Sequence, residues 1–114
     1  AGLTTHVLDT SSEGPASGVE VTLQRLDESG GTATVASART NDDGRVDEPL
    51  LTAAQMETGT YQLLFDVGAY YRDQSSESTF LETVPVRFVI DDPEDHYHVP
   101  LLLSPGGYTT YRGS

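Results

Sequence analysis

The sequence predicts an all-β fold, an antiparallel β-sandwich, on three observations. Val19, Val21 and Leu23 alternate with Glu20, Thr22 and Gln24, which is the period-2 pattern of a half-buried strand. Clusters of Gly, Pro, Ser, Asn and Asp recur between runs of this kind and divide the chain into seven or eight short strands. Only one stretch has helical character.

The elements follow in order. Thr4 to Leu8 is rich in β-branched and apolar residues and predicts the first strand. Ser11-Ser12-Glu13-Gly14-Pro15 predicts a turn, and Val19 to Leu26 the second strand. Asp27 to Gly31 turns the chain into a third strand, Thr32 to Thr40. Asn41-Asp42-Asp43-Gly44 is a strong turn signal, because Asn, Asp and Gly tolerate positive φ. Thr52-Ala53-Ala54-Gln55 has the form of a capping box, and Gly59 is a helix stop, so residues 52–58 are the one predicted helix. Tyr61 to Val67 alternates again, and Gly68-Ala69-Tyr70-Tyr71 is expected to continue as a paired strand. Asp73 to Ser78 is polar and is expected to be a loop. Val84 to Ile90 is a strand with Pro85 near its start or on an edge. Asp91 to Asp95 turns the chain, His96 to Leu103 is the last long strand, and Ser104-Pro105-Gly106-Gly107 closes it.

A length of 114 residues fits one domain, residues 1–114. With no Cys there is no disulfide, thiolate metal site or cysteine nucleophile. No apolar run approaches the roughly 20 residues that span a bilayer, and no basic-then-apolar leader opens the chain. A cytoplasmic protein is therefore expected, with the periplasm left open should a leader have been removed before Ala1.

Eighteen acidic residues against six basic ones give a formal charge of −12, and all six basic residues are Arg. Nucleic acid and anionic membranes both require a basic footprint, so neither is expected as a partner. The acidity fits a solvated, solubility-favouring surface, or a surface adapted to high salt that screens the repulsion.

Three His and six Arg are few enough to weigh singly. His96 and His98 stand two apart on a strand, so they share a face opposite to Tyr97 and Val99. A His-x-His pair is a possible metal element, but zinc needs three or four ligands. His6 could add a third only if the first and last strands meet. The other reading is that these His are structural. No G-x-S-x-G elbow, P-loop or G-x-G-x-x-G run is present, which removes support for a Ser nucleophile or a nucleotide cofactor. Arg45 follows a tight Asp-Gly turn; it is either an ion-paired surface residue or a fork of donors for a planar ligand.

Five segments in chain order resemble the transthyretin-related family. They are Leu3-Thr4-Thr5-His6-Val7-Leu8-Asp9-Thr10, Gly14-Pro15-Ala16 with Gly18-Val19, Thr40-Asn41-Asp42-Asp43-Gly44-Arg45, Phe65-Asp66-Val67-Gly68, and His96 to Pro105. The final Tyr111-Arg112-Gly113-Ser114 resembles the tetrapeptide of the family's hydrolase branch, while Thr109 departs from the Ser of many members. The resemblance covers essentially the whole chain.

It implies a transthyretin-like (prealbumin-like) sandwich of two four-stranded sheets with one short helix. It also implies a homotetramer, a dimer of dimers, with active sites in the channel between dimers. The implied activity is hydrolysis of 5-hydroxyisourate to 2-oxo-4-hydroxy-4-carboxy-5-ureidoimidazoline in urate breakdown, with no metal and no organic cofactor. The family's site positions fall on His6, Arg45, His98 and the terminal Tyr111, Arg112, Gly113 and Ser114. Opening a cyclic amide with water needs a base, donors for the developing oxyanion and an orienting clamp. His6 and His98 are the expected pair for the water, with the choice of base left open. Arg45 is expected to hold substrate oxygens, Tyr111 to contact the ring, and Arg112 and Ser114 to orient it or complete the proton network. Three alternatives share the fold: a carrier of thyroxine-like ligands, an accessory domain without chemistry, and a hydrolase of a related cyclic ureide.

Overall fold

The computed structural model describes residues 1–74 and 80–113. In chain order the strands are β1 (Gly2–Asp9), β2 (Gly14–Pro15), β3 (Glu20–Leu26), β4 (Thr32–Arg39), β5 (Gly59–Asp66), β6 (Thr83–Ile90), β7 (His96–Ser104) and β8 (Gly107–Thr110). A helix, α1 (Val67–Gln74), follows β5. The strands form two four-stranded sheets, ordered β2-β1-β7-β8 and β4-β3-β5-β6.

Each sheet turns one face inward, and the alternation seen in the sequence decides which side chains go there. Leu3 and Val7 of β1, Val21 and Leu23 of β3, Leu63 and Phe65 of β5, and Leu101 and Leu103 of β7 are fully buried between the sheets. Each such side chain stabilises the fold by about 1.5–3 kcal/mol relative to exposure. Tyr97 joins them, and its hydroxyl accepts from the Asp91 and Asp92 amides at 3.1 and 3.0 Å while donating to Asp91 Oδ1 at 2.7 Å. That arrangement fixes the turn leading into β7.

Five of the six strand pairings are antiparallel, as expected. The sixth differs: β1 runs parallel to β7, with Thr4 opposite His98 and His6 opposite Pro100. These two strands lie at opposite ends of the chain, so no hairpin constrains their direction. The first and last long strands therefore do meet.

The helix lies at residues 67–74, where Gly68 to Tyr71 was expected to be a strand. Asp66 supplies the reason. Its Oδ1 accepts the Ala69 amide at 3.2 Å, the N-cap pattern that starts a helix. Tyr70 and Tyr71 then reach back to the buried Asp9 carboxylate at 2.8 and 3.1 Å. Aromatic residues favour strands in general, but here a cap and a buried acceptor override that preference.

The expected helix at 52–58 is a single 3-10 turn, Ala53–Gln55, in which Gln55 Oε1 accepts the Thr52 amide at 2.9 Å. Two short strands were not foreseen: β2 lies inside the turn predicted at 11–15, and β8 follows the predicted closing turn. Asp73 and Gln74 of the predicted loop belong to α1, and residues 75–78 of it lie outside the described residues. No described helix is long and apolar enough to cross a membrane.

Candidate active site

The outer face of the β1–β7 pair carries the histidines. Leu3, Thr5 and Val7 point into the core, so Thr4 and His6 point out. On β7, Tyr97, Val99 and Leu101 point inward, so His96 and His98 point out beside them. Parallel pairing in register puts Thr4 next to His98. Its hydroxyl Oγ1 lies 2.8 Å from His98 Nδ1 and 3.3 Å from His96 Nε2.

Arg45 is brought to this face by the 41–45 turn. Asn41 Oδ1 accepts the Asp43 and Arg45 amides at 2.9 and 3.2 Å, an Asx turn that organises the loop from within. Gly44 has φ +76°, and a Cβ there would lie 2.3 Å from the Val7 carbonyl oxygen. Glycine is thus required twice over, for the left-handed backbone and for the close approach. That approach lets the Val7 amide donate to the Gly44 carbonyl at 2.8 Å and pairs His6 with Arg45 in an isolated antiparallel bridge.

His6 Nε2 lies 2.9 Å from the Asp43 carbonyl oxygen. A carbonyl only accepts, so this nitrogen carries the proton, and Nδ1 of neutral His6 is left as an acceptor. His98 is half-buried, and its imidazole is held below the ordinary histidine range. Desolvation is the main cause; the positive charge of Arg45, and those of His6 and His96 when they are protonated, add to it, and a hydrogen bond to the Thr4 backbone works against it. His98 therefore favours the neutral, proton-accepting form near neutral pH.

Arg45 itself is exposed. Arg25, Arg39, Arg72 and Arg112 pair with Glu57, Glu20, Glu82 and Asp95, respectively. Arg45 forms no such ion pair among the described residues. In so acidic a chain, a guanidinium beside two histidines with no acidic partner among the described residues is a group available to a ligand.

The C-terminal segment is divided between two places. Gly113 folds onto His98: its amide donates to the His98 carbonyl at 2.7 Å, and a Cβ on it would lie 2.7 Å from His98 Cδ2. Gly113 thus packs directly on the imidazole and limits its rotation. Arg112 lies over the Tyr97 ring, 4.1 Å from its centroid, and Nη2 donates to the His96 carbonyl at 3.0 Å. Tyr97 faces away from His96 and His98, so within one chain Arg112 is off the histidine face. Tyr111 is 56% exposed and lines a groove of about 310 Å³ with Val86, Phe88, Tyr97 and Val99, also off that face. Ser114 lies outside the described residues.

Of the residues predicted for the site, the fold brings together His6, Arg45 and His98. Thr4 and Gly113 join them. Thr4 was legible only as a strand residue, because its role depends on the register of a pairing between strands 92 residues apart. No described group of three or more His, Asp or Glu has the arrangement of a metal site.

Residues 3–113 match the HIUase/Transthyretin family. A protein named 5-hydroxyisourate hydrolase from Halalkalibacterium halodurans is 51% identical over 115 residues, covering 98% of this chain and 97% of its own length. The solved structure of Klebsiella pneumoniae 5-hydroxyisourate hydrolase superposes with a TM-score of 0.83 at 38% identity, covering 100% of this chain and 99% of the other. Sea bream transthyretin in complex with thyroxine superposes with a TM-score of 0.90 at 32% identity, covering 99% of this chain and 95% of the other. On the sequence match and the sandwich alike, the chain belongs to the HIUase/Transthyretin family.

Proposed function

We propose that the protein hydrolyses 5-hydroxyisourate to 2-oxo-4-hydroxy-4-carboxy-5-ureidoimidazoline. The observation that carries the proposal is the convergence on one face of His6, His98 and Arg45, which forms no ion pair among the described residues. Full-length likeness to proteins named for that reaction supports the choice of substrate.

Water sits between the two histidines. His98 Nε2 removes its proton as the oxygen attacks the ring acyl carbon, and His6 Nδ1 accepts a hydrogen bond that orients it. Negative charge grows on the acyl oxygen, and the Arg45 guanidinium neutralises it. The ring C–N bond then breaks, and the nitrogen leaves with the proton held on His98. No step calls for a metal or a cofactor.

The histidine face is open in a single chain. Leu8, Pro100 and Leu102 flank the polar cluster on it, and a facing subunit would enclose it and exclude water. We place the enzyme in a homotetramer, a dimer of dimers, on this ground and on the family likeness. In that assembly Tyr111, Arg112 and Ser114 act on the substrate ring from a neighbouring subunit or after the tail rearranges. The protein as a whole is expected to act on a small molecule, without nucleic acid or membrane as partner.

The test follows the ultraviolet absorbance of fresh 5-hydroxyisourate, made from urate by a urate oxidase. Decay much faster than the spontaneous rate is expected with native protein. Decay at the blank rate from a folded tetramer would remove the hydrolase reading and leave a ligand-binding sandwich.

A further inference from the structure

Two residues behind the histidine pair have no role in the mechanism so far. Thr4 presents a hydroxyl between two imidazole nitrogens, His98 Nδ1 at 2.8 Å and His96 Nε2 at 3.3 Å. A hydroxyl has one proton. Flanked by two ring nitrogens, it can give that proton to one and accept from the other, an arrangement that makes the three groups a polarised chain.

The base chemistry selects the direction. His98 can accept a proton at Nε2 while neutral only if its own proton sits on Nδ1. Nδ1–H then donates to Thr4 Oγ1, and Thr4 Oγ1–H donates to His96 Nε2. We propose that Thr4 and His96 are positioning residues for the hydrolysis: the Thr4 hydroxyl holds His98 in its Nδ1–H tautomer and passes the displaced proton to His96. This inference rests on the proposed hydrolase reaction.

The proton balance is complete. When Nε2 gains the proton of water, Nδ1–H moves to Oγ1, and the Thr4 hydroxyl proton moves to His96 Nε2. His98 ends neutral with its proton on Nε2, ready to protonate the departing ring nitrogen. His96 ends as the cation, and it is exposed to solvent, where that charge is hydrated. Reversal of the chain restores the starting tautomer.

Burial and then the Arg45 guanidinium disfavour a cation at His98, the side that the proton leaves. The groups facing His98 are Arg45 from the 41–45 turn, His6 from β1 and His96 on its own strand; the guanidinium of Arg45 opposes a cation there throughout, and each histidine does so only while it is itself protonated. His96 is exposed, so a charge on it is hydrated; Asp95, its neighbour in the chain, pairs with Arg112 at 3.8 Å, and Arg112 Nη2 also donates to the His96 carbonyl at 3.0 Å. Without the chain, an imidazolium must persist at His98 while the tetrahedral intermediate forms.

The test compares Thr4→Val, which keeps the shape and removes the hydroxyl, with Thr4→Ser, which keeps the hydroxyl. Thr4 is half-buried on an outer face, so both variants are expected to fold. Thr4→Val should lower kcat about 10- to 100-fold with KM little changed, a modest share of a general-base effect, and Thr4→Ser should restore most of it. His96→Asn should lower kcat in the same direction and move the pH profile. Imidazole nitrogen NMR supplies a readout independent of turnover: neutral His98 should be Nδ1–H in the native protein and shift toward Nε2–H in Thr4→Val. An Nε2–H tautomer in the native protein would overturn the proposal whatever the activity. Unchanged kcat and pH profile in Thr4→Val would overturn it too. A native protein that holds the Nδ1–H tautomer yet leaves 5-hydroxyisourate untouched would overturn the hydrolase reading, and the catalytic use of the chain with it.

Discussion

Strand β1 carries two polar clusters a few residues apart, and they are built in opposite ways. At its end, Asp9 is 2% exposed and closed off. Its carboxylate accepts from the Ser11 amide at 2.9 Å, the Ser11 hydroxyl, and the Tyr70 and Tyr71 hydroxyls at 2.8 and 3.1 Å. Burial alone would raise its pKa, but these hydrogen bonds outweigh it and hold the carboxyl below the ordinary range. The same contacts and burial push Tyr70 upward and Tyr71 up to about 12. In mid-strand, His6 and Thr4 face outward with His98, half-buried, and Arg45 has no acidic partner among the described residues. One cluster spends its hydrogen-bonding capacity on itself and ties α1 to β1. The other leaves a base and a cation unspent. Polar groups that are fully satisfied stabilise; those left unsatisfied in reach of solvent are free to act on a ligand.

This contrast can be broken at either end. The largest effect is expected from Arg45→Gln, which should lower kcat/KM about 10²- to 10³-fold, the usual cost of one lost oxyanion donor. It also removes a positive neighbour of His98, so the acidic limb of the pH–rate profile should move up toward the ordinary histidine value, about 6.5. Thermal stability should hardly change. An acidic limb that stays in place would separate Arg45 from His98.

Asp9→Asn should do the reverse. Loss of the charge at a buried acceptor of four donors should cost about 1–3 kcal/mol of stability, read from denaturant unfolding. The folded fraction should keep its turnover. The sign with pH follows from the lowered carboxyl. Asp9 contributes its stability above the unfolded carboxyl pKa, and the contribution is lost as pH falls through the lower folded value. The native protein should therefore lose stability on acidification, and Asp9→Asn should lose less over the same span. Parallel acid curves for the two proteins would contradict the assignment.

A smaller effect is expected from Gly113→Ala. The added Cβ meets the His98 ring, so the imidazole or the tail must shift by a fraction of an ångström. A misplacement of that size should lower kcat about 10-fold, with the unfolding midpoint little altered. Native turnover in this variant would show that the tail does not hold the ring.

The sequence carried the sheets well, and for a physical reason. Alternation at Val19 to Gln24 and Tyr61 to Val67 is imposed by a core on one face only, so the pattern is local. His6, Arg45 and His98 are legible as a set only through the family resemblance, since the residue pattern alone leaves each with a structural alternative, and the fold brings them together on one face. The helix was misplaced because its signals compete locally: Thr52 to Gln55 has the letters of a capping box but only one turn to cap. Gly68 to Tyr71 has strand-like aromatics, and the acceptor that draws Tyr70 and Tyr71 inward is Asp9, some sixty residues away. The parallel β1–β7 register is equally non-local, which is why Thr4 and Gly113 were not recognised as neighbours of the His98 ring. Arg112 and Tyr111 were expected beside the substrate, and no local pattern could say that in one chain they stack on Tyr97 and line an edge groove instead.

The most direct test of the open cluster as the reacting one is the rate of 5-hydroxyisourate decay with His98→Ala, measured beside native protein at equal folded concentration. Removal of the base predicts a rate at least about 10²-fold lower with an unchanged unfolding midpoint. Native turnover from the folded variant would contradict the account and assign the chemistry elsewhere on the molecule.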